Sequence, residues 1–124
     1  MKDIVSFINE GSLEYPMKGV LKKNDKVTII WLDTNQKPLK ITDVENAKVD
    51  KVVSMALARY RDDYHTWAYV NGVRFELRAE MKDQYLGLFD RNYSKNPRNK
   101  FAIICTPEQA DKLVGDNGEL NMDD

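Results

Sequence analysis

The run Thr66-Trp67-Ala68-Tyr69-Val70-Asn71-Gly72-Val73-Arg74-Phe75-Glu76-Leu77-Arg78-Ala79 decides the fold. Asn71-Gly72 separates two segments rich in aromatic and β-branched residues. A two-residue type I′ turn needs φ > 0 at both central positions, which Asn followed by Gly supplies at low steric cost. In the second arm Val73, Phe75, Leu77 and Ala79 fall on one face, and Arg74, Glu76, Arg78 and Glu80 on the other. That period of two predicts an antiparallel hairpin with one face buried and one wet.

Working outward, Val27-Thr28-Ile29-Ile30-Trp31-Leu32 and Phe101-Ala102-Ile103-Ile104-Cys105 are almost wholly apolar. Such runs predict strands covered on both faces. Shorter strands are expected at 19–23, with Asn24-Asp25 as the following turn, at 39–41 after Pro38, and at 85–89 around Gly87. Thr106-Pro107-Glu108-Gln109 predicts a helix start: a Thr cap, Pro at the first helical position and Gln at the third. Ala110, Leu113 and Val114 form that helix's inner face, and Gly115 ends it.

Between the strands, Thr42-Asp43-Val44-Glu45 has the spacing of a capping box. Val49, Val52, Val53, Ala56, Leu57 and Tyr60 recur at steps of one and three, an apolar helical stripe. The spacing predicts a long central helix over 43–61, lying on the sheet. The fold class expected is therefore α+β: an antiparallel or mixed sheet of about five to six strands, one long central helix and a short C-terminal helix. Val52, Val53, Leu57, Phe75, Leu77, Ile29, Ile103 and Ile104 are the expected core. The organisation expected is an amphipathic leader or first helix over 1–11, one domain over 12–115 and an acidic, disordered tail over 116–124.

Length and composition bound the function. The chain has 124 residues and a formal charge of −1, enough to bury one core without metal or disulfide staples. Its single cysteine excludes an internal disulfide. No apolar run approaches the roughly 20 residues of a membrane span, so no membrane partner is expected. No Gly-rich phosphate loop is present, and one His and one Cys far apart do not make a zinc pattern. No cofactor or metal is expected.

Three groups bear on chemistry. His65, the only histidine, follows Asp62, Asp63 and Tyr64. A general base oriented by Asp62 or Asp63 would use such residues, but no nucleophile spacing accompanies them, and a solvated loop histidine is the simpler reading. Cys105, next to a helix cap, reads as a small buried hydrophobe rather than a reactive thiol. The segment 91–100 carries Arg91, Lys95, Arg98 and Lys100 with Tyr93 and no acid. Cations can neutralise phosphates while a tyrosine stacks on an unpaired base, so this loop is the candidate contact for nucleic acid or another partner. Trp31, Trp67 and Tyr69 are expected to pack in the core or on a sheet face.

Met1-Lys2-Asp3-Ile4-Val5-Ser6-Phe7-Ile8-Asn9-Glu10-Gly11 resembles the capsid-targeting leaders of internal head proteins from T-even-type tailed phages. Those leaders begin Met-Lys, contain a Phe-Ile-x-Glu tetrad, matched here by Phe7, Ile8, Asn9 and Glu10, and are cut after the Glu. The resemblance implies a processing site between Glu10 and Gly11. It also implies a phage-encoded protein packaged in the head and injected with the DNA, located in the virion interior or the host cytoplasm. With no acid–base, nucleophile or metal grouping, the action expected is non-catalytic binding, and the resemblance implies a host protein as its target, in host takeover or anti-defence. The acidic tail and near-neutral charge depart from the small basic or mixed domains of that family. Nucleic-acid binding through 91–100, and a small enzyme using His65, are the alternatives. The sequence leaves the partner's identity and the oligomeric state open.

Overall fold

The computed structural model describes residues 17, 19–33, 35, 39–56, 64–90 and 101–121. Among these residues seven strands run in chain order: β1 (Lys26–Asp33), β2 (Lys40–Lys48), β3 (Lys51–Ala56), β4 (Tyr64–Val70), β5 (Val73–Leu77), β6 (Gly87–Phe89) and β7 (Phe101–Cys105). One helix, α1 (Pro107–Leu113), follows. All seven strands form one sheet in the order β2-β1-β7-β6-β5-β4-β3, and every pairing is antiparallel.

The expected hairpin is present. Asn71 and Gly72 hold φ of 53° and 78°, and Val70 pairs with Val73, Ala68 with Phe75. Both apolar runs are interior strands, β1 and β7, paired with each other. The α1 cap also forms as read: Gln109 N donates to Thr106 Oγ1 at 3.0 Å, and Thr106 N donates to Gln109 Oε1 at 2.9 Å.

The long central helix is absent, and this overturns the expected architecture. Residues 40–48 and 51–56 are the two edge strands of a sheet of seven, rather than a helix on a sheet of five to six; Leu57, Tyr60 and the rest of 57–61 lie outside the described residues. The Thr42–Glu45 capping box is replaced by strand contacts: Asp43 Oδ1 accepts from the next amide, Val44 N, at 2.9 Å, and Glu45 accepts from Trp31. The stretch is rich in β-branched residues, which lose side-chain freedom in a helix and pack well on a pleated sheet. The expected strand at 19–23 is also corrected. It is turn, closed by Val20 N to Met17 O and Asp25 N to Lys22 O, with Leu21 in a single bridge.

The joint between the edge strands sets the shape of the sheet. Six interstrand steps of about 4.8 Å span about 29 Å, yet only Val49 and Asp50 separate β2 from β3, a link reaching about 10 Å. The sheet must therefore curl until its two edges converge at that point. Val49 N donates to Asp25 O and accepts, through its carbonyl, from Asn24 N, while Asp50 N donates to Tyr69 O at 2.7 Å. The joint is thus tied to both ends of the sheet.

Curling makes two cores. Inside lie Val27, Ile29, Trp31, Phe75, Phe89 and Ile104 with Met17 and Leu21; the Trp31 and Phe89 rings stand 6.2 Å apart and the Phe75 and Phe89 rings meet edge-on at 6.4 Å. On the outer face, Ile30, Leu32, Ile103 and Cys105 are covered by Ala110 and Leu113 of α1. Two covers explain why β1 and β7 are apolar on both faces. Of the expected core, Ile29, Phe75, Leu77, Ile103 and Ile104 are buried, whereas Val52 and Val53 on edge strand β3 are half-buried. The stretch expected as a tail is described as far as Asn121. To that point it folds back on the sheet, with Ile41 N donating to Gly118 O, Leu120 N to Leu39 O, and Leu120 packed on the outer core.

Candidate functional site

Alternation along β2 sends Asp43, Glu45 and Ala47 toward the inner face beside Trp31, Ile29 and Val27, and Val44 and Asn46 toward the outer face beside Ile30 and Thr28. Helix α1 lies over β1 and β7 and stops short of β2. A cleft of about 610 Å³ runs between them, floored by Thr28, with Val44 and Asn46 on the strand side and Pro107, Ala110, Asp111 and Val114 on the helix side. Val44 is 40% exposed, one of three large apolar side chains left open to solvent among the described residues. Thr28 is buried and donates its hydroxyl to Asn46 Oδ1 at 2.9 Å, so the floor is satisfied internally and the walls are mainly apolar. A second cleft, of about 420 Å³, shares Asn46 and Pro107 and adds Lys26, Val27, Ala47 and Lys48. The two clefts meet at Asn46 and Pro107, with Lys26 and Lys48 lining one and Asp111 the other.

The other exposed feature is the outer face of β3–β6. Register places Lys51, Tyr69 and Arg74 in one row and Val53, Trp67, Glu76 and Leu88 in the next. Arg74 Nη2 pairs with Asp90 Oδ2 at 2.7 Å and its guanidinium lies 5.1 Å from the Trp67 ring centre. Lys51 Nζ sits 4.6 Å from the Tyr69 ring centre. His65 stacks on Trp67 at 5.8 Å, and its Nδ1 meets Glu76 Oε2. Cations and carboxylates therefore satisfy one another across this face.

His65 stands in β4 rather than in a loop, and Glu76 takes the place of a carboxylate partner; Asp62 and Asp63 lie outside the described residues. His65 lines neither cleft. The pairing with Glu76 was readable in principle, since a two-residue turn at Asn71-Gly72 puts Arg78 opposite His65 and Glu76 diagonal to it on the same face. The groove had no local signal, because it depends on which strand ends up beside α1. Cys105 is buried, and desolvation pushes its thiol up to about 12, so it stays protonated at neutral pH. Trp31 is a core residue, while Trp67 and Tyr69 pack on the sheet face. Arg91, Tyr93, Lys95, Arg98, Lys100, Glu10 and Gly11 all lie outside the described residues. Among the described residues no three His, Cys, Asp or Glu side chains group as metal ligands.

No family model matches this sequence. Searches of curated proteins and of solved structures return no match either. Among the described residues, no helix is long and apolar enough to cross a membrane.

Proposed function

We propose that this is a non-catalytic protein that acts by binding another protein, with the groove between β2 and α1 as its contact surface. The observation that carries the reading is Val44: an apolar side chain, 40% exposed, on an edge strand beside a cleft walled by Pro107, Ala110 and Val114. Edge strands usually carry charge or cover against association, and open apolar grooves are where partner segments lodge. The leader resemblance extends the proposal to a phage protein that is packaged, trimmed between Glu10 and Gly11, injected, and directed at a host protein. A photoreactive side chain at position 44 should cross-link that host protein. Val44→Asp should lower its recovery by about tenfold, the loss given by about 1.4 kcal/mol of contact. Equal recovery from Val44→Asp and from Met55→Asp on β3 would remove the groove from the reading. Mass spectrometry of purified virions tests the packaging step: a peptide beginning at Gly11 supports it, and absence from the particle ends it.

A second reading, nucleic-acid binding through 91–100, is supported by where that segment is rooted. Its flanking residues are described: Asp90 N donates to Arg74 O at 2.9 Å, and Phe101 opens β7. Binding of this kind must weaken steeply with salt, and Lys95→Ala with Arg98→Ala should flatten the slope by about two counterions. No binding at low salt and tens of micromolar protein would dispose of it.

A further inference from the structure

We infer that Lys26 and Lys48 form a carboxylate clamp beside the groove, taking an acidic side chain of the partner's segment while an apolar side chain of the same segment sits against Val44. This rests on the reading of the groove as a protein-contact surface and names the chemistry of the segment it takes.

The β2–β3 joint gathers positive charge. Asn24 N and Asp25 O both bond to Val49, which brings the turn carrying Lys22 and Lys23 against the joint. Lys26, Lys48 and Lys51 stand at the strand ends beside it, and all five lysines are exposed. The chain as a whole has a formal charge of −1, so this end carries a local excess. The two acids there are turned to backbone amides: Asp25 Oδ2 accepts from Lys22 N and Asp50 Oδ2 from Asn71 N, each at 3.0 Å. Among the described residues none of the five ammonium groups is paired with a carboxylate.

Within this group Lys26 and Lys48 are direct cross-strand partners. The Cβ atoms of such partners stand about 5 Å apart, and like charges so placed repel. One carboxylate between them removes the repulsion and accepts from both. Asn46, about 7 Å from Lys48 along the same face, adds a third donor. Its Oδ1 is taken by the buried Thr28 hydroxyl at 2.9 Å, which leaves the amide Nδ2 as the free branch. These three residues line one cleft with Pro107, and Asn46 and Pro107 lead into the cleft of Val44, Ala110 and Val114.

The second cleft selects the ligand. Its walls are mainly apolar and its one charged lining residue is the acid Asp111, so a polyanion running on from the clamp meets repulsion, whereas a lone carboxylate followed by an apolar group does not. Val44 lies four residues from Lys48 along β2, about 13 Å. An extended segment lying along the strand therefore carries its acid and its apolar side chain four residues apart.

The full-length chain, titrated with a blocked synthetic peptide and followed by NMR, tests this. The peptide holds one Glu and one Leu four residues apart among Ser and Gly. Saturable shifts are expected at the Lys26, Asn46 and Lys48 amides and the Val44 methyls. Glu replaced by Gln in the peptide, or Lys26→Gln with Lys48→Gln in the protein, should each weaken binding by about tenfold. Lys22→Gln with Lys23→Gln removes the same charge from the same end and should weaken it by about twofold or less. Equal losses from the two lysine pairs, no saturable shift at millimolar peptide, or undiminished binding of the Gln peptide would each overturn the clamp. Tighter binding of a single-stranded oligonucleotide to the same residues would also overturn it. The urea midpoint of the Lys26→Gln, Lys48→Gln chain should stay level or rise, since a repelling pair is gone; a fall would show that the pair serves the fold and would overturn it too. Peptide binding as expected, with no host protein cross-linked from position 44, would leave the clamp and remove the proposed function. A host protein cross-linked equally well in the Lys26→Gln, Lys48→Gln chain would do the reverse.

Discussion

Trp31 donates its indole Nε1–H to Glu45 Oε2 at 2.7 Å, across the β1–β2 pair. One residue is a buried ring of the inner core and the other a carboxylate on an edge strand whose local sequence reads as a helix start. The bond gives an inward-facing acid a charge-assisted partner, and it gives a buried donor an acceptor. Glu45→Ala removes that acceptor and should cost about 1–3 kcal/mol, measured as a lower urea midpoint at unchanged slope. Trp31→Phe with Glu45→Ala should cost less than the two single changes summed. Strict additivity in that cycle would mean the bond contributes nothing.

Gly87 is indispensable for a different reason. A Cβ built there lies 2.5 Å from the Glu76 carbonyl oxygen, a backbone atom within the β5–β6 pairing. Gly87→Ala must push β6 away from β5 and should destabilise by about 1–3 kcal/mol. Faster amide exchange confined first to β5 and β6 is the expected sign; exchange unchanged there would show that the backbone gives way freely.

At Gly72 the space is open but the backbone is not. Its φ is +78° and no atom lies within 4 Å of an added Cβ. Gly72→Ala should therefore cost about 1–2 kcal/mol through backbone strain alone. The crystal or solution structure of the variant should keep the register of Val70 with Val73. A slipped hairpin register would contradict the turn assignment.

Burial at Cys105 makes an alkaline prediction. Desolvation raises the folded thiol from 9.0 to about 12, and burial also raises the Tyr85 phenol. Above about pH 9 the unfolded thiol has lost its proton while the folded one keeps it, so the unfolded state binds fewer protons and stability falls as pH rises. This contribution is complete below about 9 and declines from there to about 12. Urea midpoints should drop across that range, and Cys105→Ala should flatten the decline. A decline of the same depth in Cys105→Ala would assign it to other groups.

Much of this fold was written locally. Asn71-Gly72 determined a hairpin because its turn geometry depends on those two residues alone. The apolar runs at Val27–Leu32 and Phe101–Cys105 determined two-sided burial, and Thr106, Pro107 and Gln109 determined where α1 starts. Each of these signals is complete within a few neighbouring residues. The state of 40–56 was not, because its spacing satisfies a helix and a strand alike. The strand wins only when Glu45 meets Trp31, Asn46 meets Thr28 and Asp50 N meets Tyr69 O. These partners stand 14 to 19 positions away in the chain, with Glu45 and Asn46 reaching back to β1 and Asp50 reaching forward to β4. The same holds for the groove. Val44 is an ordinary valine in the sequence, and it is exposed because β2 is an edge strand and α1 packs on β1 and β7.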